Sequence, residues 1–177
     1  MIMKKLCLFI WAVLLLHACQ TPPAKNTAIN LKDTVNYAYQ IKQSNQWLIN
    51  NNRHNVFIVM NVLKAYEHGD TASLNKYLAD SITIYYDGGI YKGARHEFMY
   101  AIKERVKFLK GLKIKLKDWE SVISRDRQQE RVNTWYTLYY KTTEGKADSV
   151  DVLDEARLKD GKITVWYDYS RKYRKND

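Results

Sequence analysis

Beyond Gly111 the apolar residues recur at every second position almost to the end of the chain; before it they recur at helical spacing. Side chains alternate across a strand with a period of two and return along a helix with a period of about 3.6, so this switch separates a helical half from a strand-built half. In the first half Val56, Val59, Met60, Leu63 and Tyr66 share one helix face, which Gly69 ends. Asp70 is a good cap for a short second helix carrying Leu74, Tyr77 and Leu78. Ile82, Ile84 and Tyr86 alternate up to the turn signal Asp87-Gly88-Gly89, and a third helix is predicted from about Arg95 to Leu109. In the second half Ile114 and Leu116 fall in one phase and Trp119 and Ile123 in the other, which predicts a bulge near Asp118. Strands follow at Arg131–Lys141, Ser149–Leu158 and Ile163–Tyr169, the last two joined by a hairpin turn at Asp160-Gly161. Helices first and antiparallel strands after predict an α+β fold with the helices on one face of the sheet.

The segment ahead of this domain reads differently. Lys4 and Lys5 precede an almost unbroken apolar run from Leu6 to Leu16. That run is about half the length that spans a bilayer, so a signal segment fits better than a membrane helix. Leu16-His17-Ala18-Cys19 resembles the lipobox of bacterial lipoproteins. The resemblance implies cleavage behind Ala18, a diacylglycerol thioether on Cys19 and an added acyl chain such as palmitate. Two chains together give the stable anchoring that one does not. Ordinary cleavage with a free Cys19 thiol, or an uncleaved anchor, are the other readings of these residues. Residues 1–18 are thus expected to be a lipoprotein signal peptide and 19–33, with Pro22 and Pro23, a flexible tether. The domain is expected over 34–177, with an extended arm at Val35-Tyr37-Tyr39-Ile41 near its start. No acidic cluster follows Cys19 before Asp33, which favours a domain in the cell envelope facing the periplasm.

Three stretches resemble the nuclear transport factor 2-like superfamily, which includes the SnoaL-like proteins. They are Tyr66-Glu67-His68-Gly69-Asp70, then Leu78-Ala79-Asp80-Ser81-Ile82-Thr83-Ile84 with Gly93 beyond it, and Leu158-Lys159-Asp160-Gly161-Lys162-Ile163 with Trp166 and Asp168. Ser44, Trp47 and the Tyr-rich end further resemble a group of lipoproteins of Bacteroidota. The superfamily resemblance implies a curved antiparallel sheet wrapped over about three N-terminal helices. The result is a cone with a pocket at its wide end, in a fold that often forms a homodimer through the sheet. Isomerases, dehydratases, cyclases and non-catalytic binding modules share this fold, so function has to come from the site.

Strand alternation assigns Tyr86, Trp135, Tyr139, Asp154, Trp166 and Asp168 to the expected pocket. Folding the last hairpin about Asp160-Gly161 brings Asp154 close to the Trp166–Asp168 stretch, and two carboxyls on neighbouring strands in an apolar cavity can have their pKa values pushed apart into an acid and a base. In the ketosteroid isomerase branch an Asp on the strand before the final hairpin donates a hydrogen bond to the enolate, and Asp154 matches that position. Tyr86 stands where that branch has its general base and Val62 where it has its oxyanion-hole Tyr, so steroid isomerisation is not implied. The bland reading is that Asp154 and Asp168 accept hydrogen bonds from Trp or Tyr groups or pair with a cation.

No Gly-rich phosphate loop or nucleophile elbow is present, and the His residues lack zinc-ligand spacing, so no metal and no cofactor are expected. The formal net charge is +10, about +8 without Lys4 and Lys5. Lys103, Arg105, Lys107, Lys110, Lys113, Lys115 and Lys117 crowd one region, and Arg171, Lys172, Arg174 and Lys175 end the chain. Behind an envelope signal, nucleic acid is out of reach; anionic headgroups or acidic glycans remain as partners, or the lysines are a solvated strand face. Three functions stay open: a tethered module that binds a small molecule or glycan without catalysis, a cofactor-independent lyase, isomerase or hydrolase using Asp154 and Asp168, and an adaptor using the outer sheet face.

Overall fold

A computed structural model describes residues 38–39 and 47–172. The expected signal peptide, Cys19, the tether, most of the arm at 35–41, Ser44, Arg174 and Lys175 lie outside the described residues. The chain divides into two units, Met1–Ile41 and Lys42–Asp177, and the fold belongs to the second.

The elements run β1 (Trp47–Ile49), α1 (His54–His68), α2 (Thr71–Tyr77), β2 (Leu78–Tyr86), β3 (Gly89–Ala94), α3 (Arg95–Val106), β4 (Leu109–Ser124), β5 (Glu130–Thr142), β6 (Ala147–Lys159) and β7 (Lys162–Lys172). Three helices pack on a seven-stranded sheet of order β1-β4-β5-β6-β7-β2-β3. The architecture is α+β, as the change of periodicity predicts. The strands β1 and β3 escape sequence reading because three and six residues carry too little pattern. One pairing departs from the all-antiparallel expectation: β2 runs parallel to β7, because the chain leaves β2, crosses through α3 and the long hairpins, and returns beside it. Among the described residues the sheet is therefore mixed and unclosed, with β1 and β3 at its edges.

Local chemistry sets the boundaries. Gly69 ends α1 in the left-handed conformation (φ 65°), and the next amide, of Asp70, donates to the Ala65 carbonyl at 2.8 Å. Asp70 then caps α2 by accepting from the Ser73 amide at 3.1 Å. The helix α3 stops at Val106, three residues before the predicted end. A register shift between Leu116 and Asp118 is the predicted bulge; it turns Trp119 onto the face that Leu116 occupied. Asp160 and Gly161 both take positive φ (51° and 69°), the two-residue turn that matches strand twist.

The core lies where α1 and α2 press on the sheet. Ile58, Val59, Leu78, Ile82, Val132, Ala156 and Ile163 are almost fully buried there. Each such aliphatic side chain larger than alanine contributes about 1.5–3 kcal/mol. Glu130 fastens this end: Asn55 donates to it at 2.8 Å and Asn50 at 3.3 Å, tying α1 and the end of β1 to β5. No helix among the described residues is long and apolar enough to cross a membrane.

Candidate functional site

The concave face of the sheet changes character along its strands. On β2 it passes from buried Ile82 through Ile84 to exposed Tyr86; on β7 it passes from buried Ile163 through Trp166 and Asp168 to exposed Ser170. The helices stop covering the sheet along this gradient. A cavity of about 600 Å³ opens there, within the usual range for small-molecule sites. Its apolar wall includes Val62, Leu63, Ile84, Phe98, Leu112 and Leu138; its polar groups include Tyr66, Arg105, Tyr136, Asp154 and Asp168.

The two carboxyls are neighbours by register. Thr134, Asp154 and Asp168 stand in one row across β5, β6 and β7. Asp154 is fully buried, and its Oδ2 accepts a 2.8 Å hydrogen bond from the Tyr136 hydroxyl. Its Oδ1 and the Oδ1 of Asp168 are buried and make no hydrogen bond among the described residues. Burial, and then the charge of Asp168, push the Asp154 carboxyl up to about 8; Tyr136 and Trp166, which favour the charged form, oppose the rise. Asp168 is also raised, by burial first, with Arg105 pulling it back and Asp87 raising it further. Burial raises the Tyr66 and Tyr136 hydroxyls too, so both stay protonated donors at neutral pH.

At pH 7 Asp154 is therefore a neutral acid inside an apolar cavity. Oδ2 accepts from Tyr136, so a proton on this carboxyl would sit on Oδ1, which is buried and has no acceptor among the described residues. Asp168 is raised as well, but the charge of Arg105 favours its ionised form, and no cation does the same for Asp154. The site can hold a hydrogen-bond acceptor, and it contains the parts of an acid–base pair. Among the described residues no cluster of three or more His, Cys, Asp or Glu is placed to hold a metal ion.

Of the expected pocket residues, Tyr86, Asp154, Trp166 and Asp168 lie on the cavity wall. Trp135 and Tyr139 do not. They pair with Leu153 and Ser149 in the phase that points to the outer face, where Tyr139 is exposed. Both phases of β5 carry aromatics, so alternation alone does not choose between them. The register does: the inward residues of β6 are even-numbered, and they stand opposite Val132, Thr134, Tyr136 and Leu138. Tyr136 and Tyr140 take the inward positions expected of Trp135 and Tyr139. Sequence reading also missed Arg105 and Tyr66 as site residues, the first because it sits in a lysine-rich run, the second because its spacing is that of a core position.

No family model matches the chain, and no curated protein does. Solved structures do. An LEH-like epoxide hydrolase of M. tuberculosis superposes with a TM-score of 0.56 at 19% identity, over 66% of this chain and 77% of that one. An NTF2-like protein of unknown function from Burkholderia pseudomallei gives 0.53 at 14% identity, over 66% and 89%. The chain has the nuclear transport factor 2-like fold. A third solved structure with this fold is IdmH of Streptomyces antibioticus, a candidate polyketide cyclase, with a TM-score of 0.52 at 16% identity over 66% and 91%. At these identities the likeness is one of fold, and within the nuclear transport factor 2-like fold the site must speak for itself.

Proposed function

We propose that this domain binds a small, mainly apolar molecule bearing one hydrogen-bond acceptor, such as a carbonyl, lactone or epoxide oxygen. One observation carries the reading: a cavity of about 600 Å³ has the fully buried Asp154 in its wall, with Oδ1 making no hydrogen bond among the described residues and the carboxyl pushed up to about 8 by burial. A buried donor without a partner costs about 1–3 kcal/mol, and a ligand oxygen there recovers it. Calorimetric titration with neutral cyclic ketones and lactones of graded size tests this. Affinity is expected to fall as pH rises through about 8, where Asp154 ionises and turns from donor to acceptor. Leu112→Trp, which fills the cavity from its wall, is expected to abolish binding. Binding that ignores both changes would place the ligand elsewhere.

The location proposed for this module is the cell envelope, facing the periplasm, with Cys19 as its lipid anchor. The support is the Leu16-His17-Ala18-Cys19 motif behind a short apolar run. Labelling with a palmitate analogue should disappear in Cys19→Ser; label that persists would refute the anchor.

The register row of Asp154 and Asp168 favours a second reading, a cofactor-independent hydrolase, lyase or isomerase. Protonated Asp154 would donate to the substrate oxygen and ionised Asp168 would accept a proton from water or carbon. The fold likeness to an epoxide hydrolase makes epoxides a sensible first substrate class. Turnover lost in Asp168→Asn with ligand binding retained would establish it.

A further inference from the structure

The cavity mouth has an unusual rim. It lies where β2 and β7 end and β4 begins, since Tyr86, Ser170, Leu109 and Leu112 line the outer cavity. Three large apolar side chains stand out around this end: Phe108 between α3 and β4 is 68% exposed, Ile90 at the β2–β3 turn 63%, and Tyr86 48%. The same end carries Lys107, Lys110, Lys141, Lys146, Arg171 and Lys172, all exposed. Its acidic groups are fewer: Asp87, Glu104, Glu144, Asp148 and Asp151, which stands opposite Arg171 and pairs with Lys117 at 2.5 Å. Glu104 is taken up by Lys107 at 2.6 Å and Asp148 by Lys172 at 3.3 Å. Among the described residues Lys110, Lys141, Lys146 and Arg171 make no ion pair, which leaves the rim positive.

Exposed apolar side chains next to unpaired cations suit one kind of partner, a surface with anionic headgroups over an apolar interior. We infer that the cavity mouth docks on an anionic lipid bilayer, with Phe108 and Ile90 entering the interface and the lysines on the headgroups. Each lysine or arginine near such a surface is worth about a fivefold gain in partition. The cavity is lined mainly by apolar groups, so a docked mouth gives an amphiphile a path from bilayer to Asp154 that avoids water. The docking itself is independent of the anchor at Cys19; its consequence for the ligand rests on the binding function proposed above.

The full-length chain offers a clean probe, because its two cysteines, Cys7 and Cys19, both lie outside the domain. With both changed to Ser, Phe108→Cys carries an environment-sensitive fluorophore, itself apolar. Gln128→Cys, in the β4–β5 turn at the opposite end of these strands, is the control. Each is mixed with vesicles of phosphatidylcholine alone or with phosphatidylglycerol. The expected result is a several-fold rise and blue shift at position 108 on phosphatidylglycerol vesicles. At position 128 no response is expected. Changing Lys110, Lys141 and Lys146 together to Glu should remove the response at 108. Vesicle attachment through the N-terminal apolar segment would carry both labels to the membrane without burying either. No response at 108, equal responses at 108 and 128, or a response only to a soluble acidic polysaccharide would each overturn the docking. Failure of the cavity to bind ketones or lactones in solution would overturn the binding reading and leave this result unchanged.

Discussion

The two ends of the sheet's concave face are built by the same strands and come out differently. At one end β5, β6 and β7 present Val132, Ala156 and Ile163, which α1 seals with Ile58 and Val59. A few residues along the same strands, the face becomes Tyr136, Asp154 and Asp168, and the helices leave it open. Small and aliphatic groups can be close-packed by a helix without leaving polar atoms behind; carboxyls and hydroxyls cannot. The closed end stabilises the fold, and its rigidity fixes the row that positions Asp154 beside Asp168. The open end costs stability, because an acid is held there above its ordinary range.

The largest expected effect breaks the open end. Asp154 has an ordinary carboxyl value of 3.8 and about 8 in the fold. Between these values the folded protein keeps a proton that the unfolded chain has released. Its contribution is therefore fully present below about 4 and is lost as pH rises through about 8. Denaturant unfolding should show stability declining over this window by up to about 1.4 kcal/mol per pH unit from this group. Asp154→Asn should flatten that decline; an unchanged slope would mean that the carboxyl is not perturbed.

The closed end answers differently. Ile163→Ala empties a fully buried site and should cost about 2–5 kcal/mol in chemical denaturation. Its effect on the pH slope and on the affinity of surviving folded protein should be small, and a large change in either would deny the division of labour. Tyr136→Phe lies at the seam. It strips Oδ2 of Asp154 of its donor, at about 1–2 kcal/mol, and should move the Asp154 titration upward, since the hydroxyl favours the charged form. A downward move would reverse the role given to Tyr136. The smallest effect belongs to the outer face, where Lys117 meets Asp151 at 2.5 Å in a half-exposed pair. Lys117→Ala should change thermal stability by no more than about 0.5 kcal/mol.

Much of this contrast is legible in the sequence. The helical face ending at Gly69, the bulge near Asp118 and the turn at Asp160-Gly161 each rest on local chemistry, and each is where the sequence puts it. The two-residue turn brings Asp154 to the Trp166–Asp168 stretch, but its register alone would face Asp154 with Tyr167; the register shift between Arg157 and Leu158, which the sequence pattern does not show, sets Asp168 opposite it. The phase of β5 could not be read the same way. Its aromatics occupy both faces, and its register is set by the β4–β5 and β5–β6 pairings, whose turns carry weaker signals. Arg105 was hidden for a different reason: a cation in a run of lysines looks solvated until α3 is laid across the cavity mouth. Parallel pairing of β2 with β7 depends on contacts far apart in the chain, which no local pattern records.

The site turns on one proton. A carbon-13 NMR titration of the Asp154 carboxyl, assigned through its loss in Asp154→Asn, reads it directly in the folded, ligand-free protein. The predicted result is an inflection near pH 8, displaced by an acceptor ligand that the neutral acid holds. An inflection near 4, with the carboxyl ionised throughout the neutral range, would contradict it.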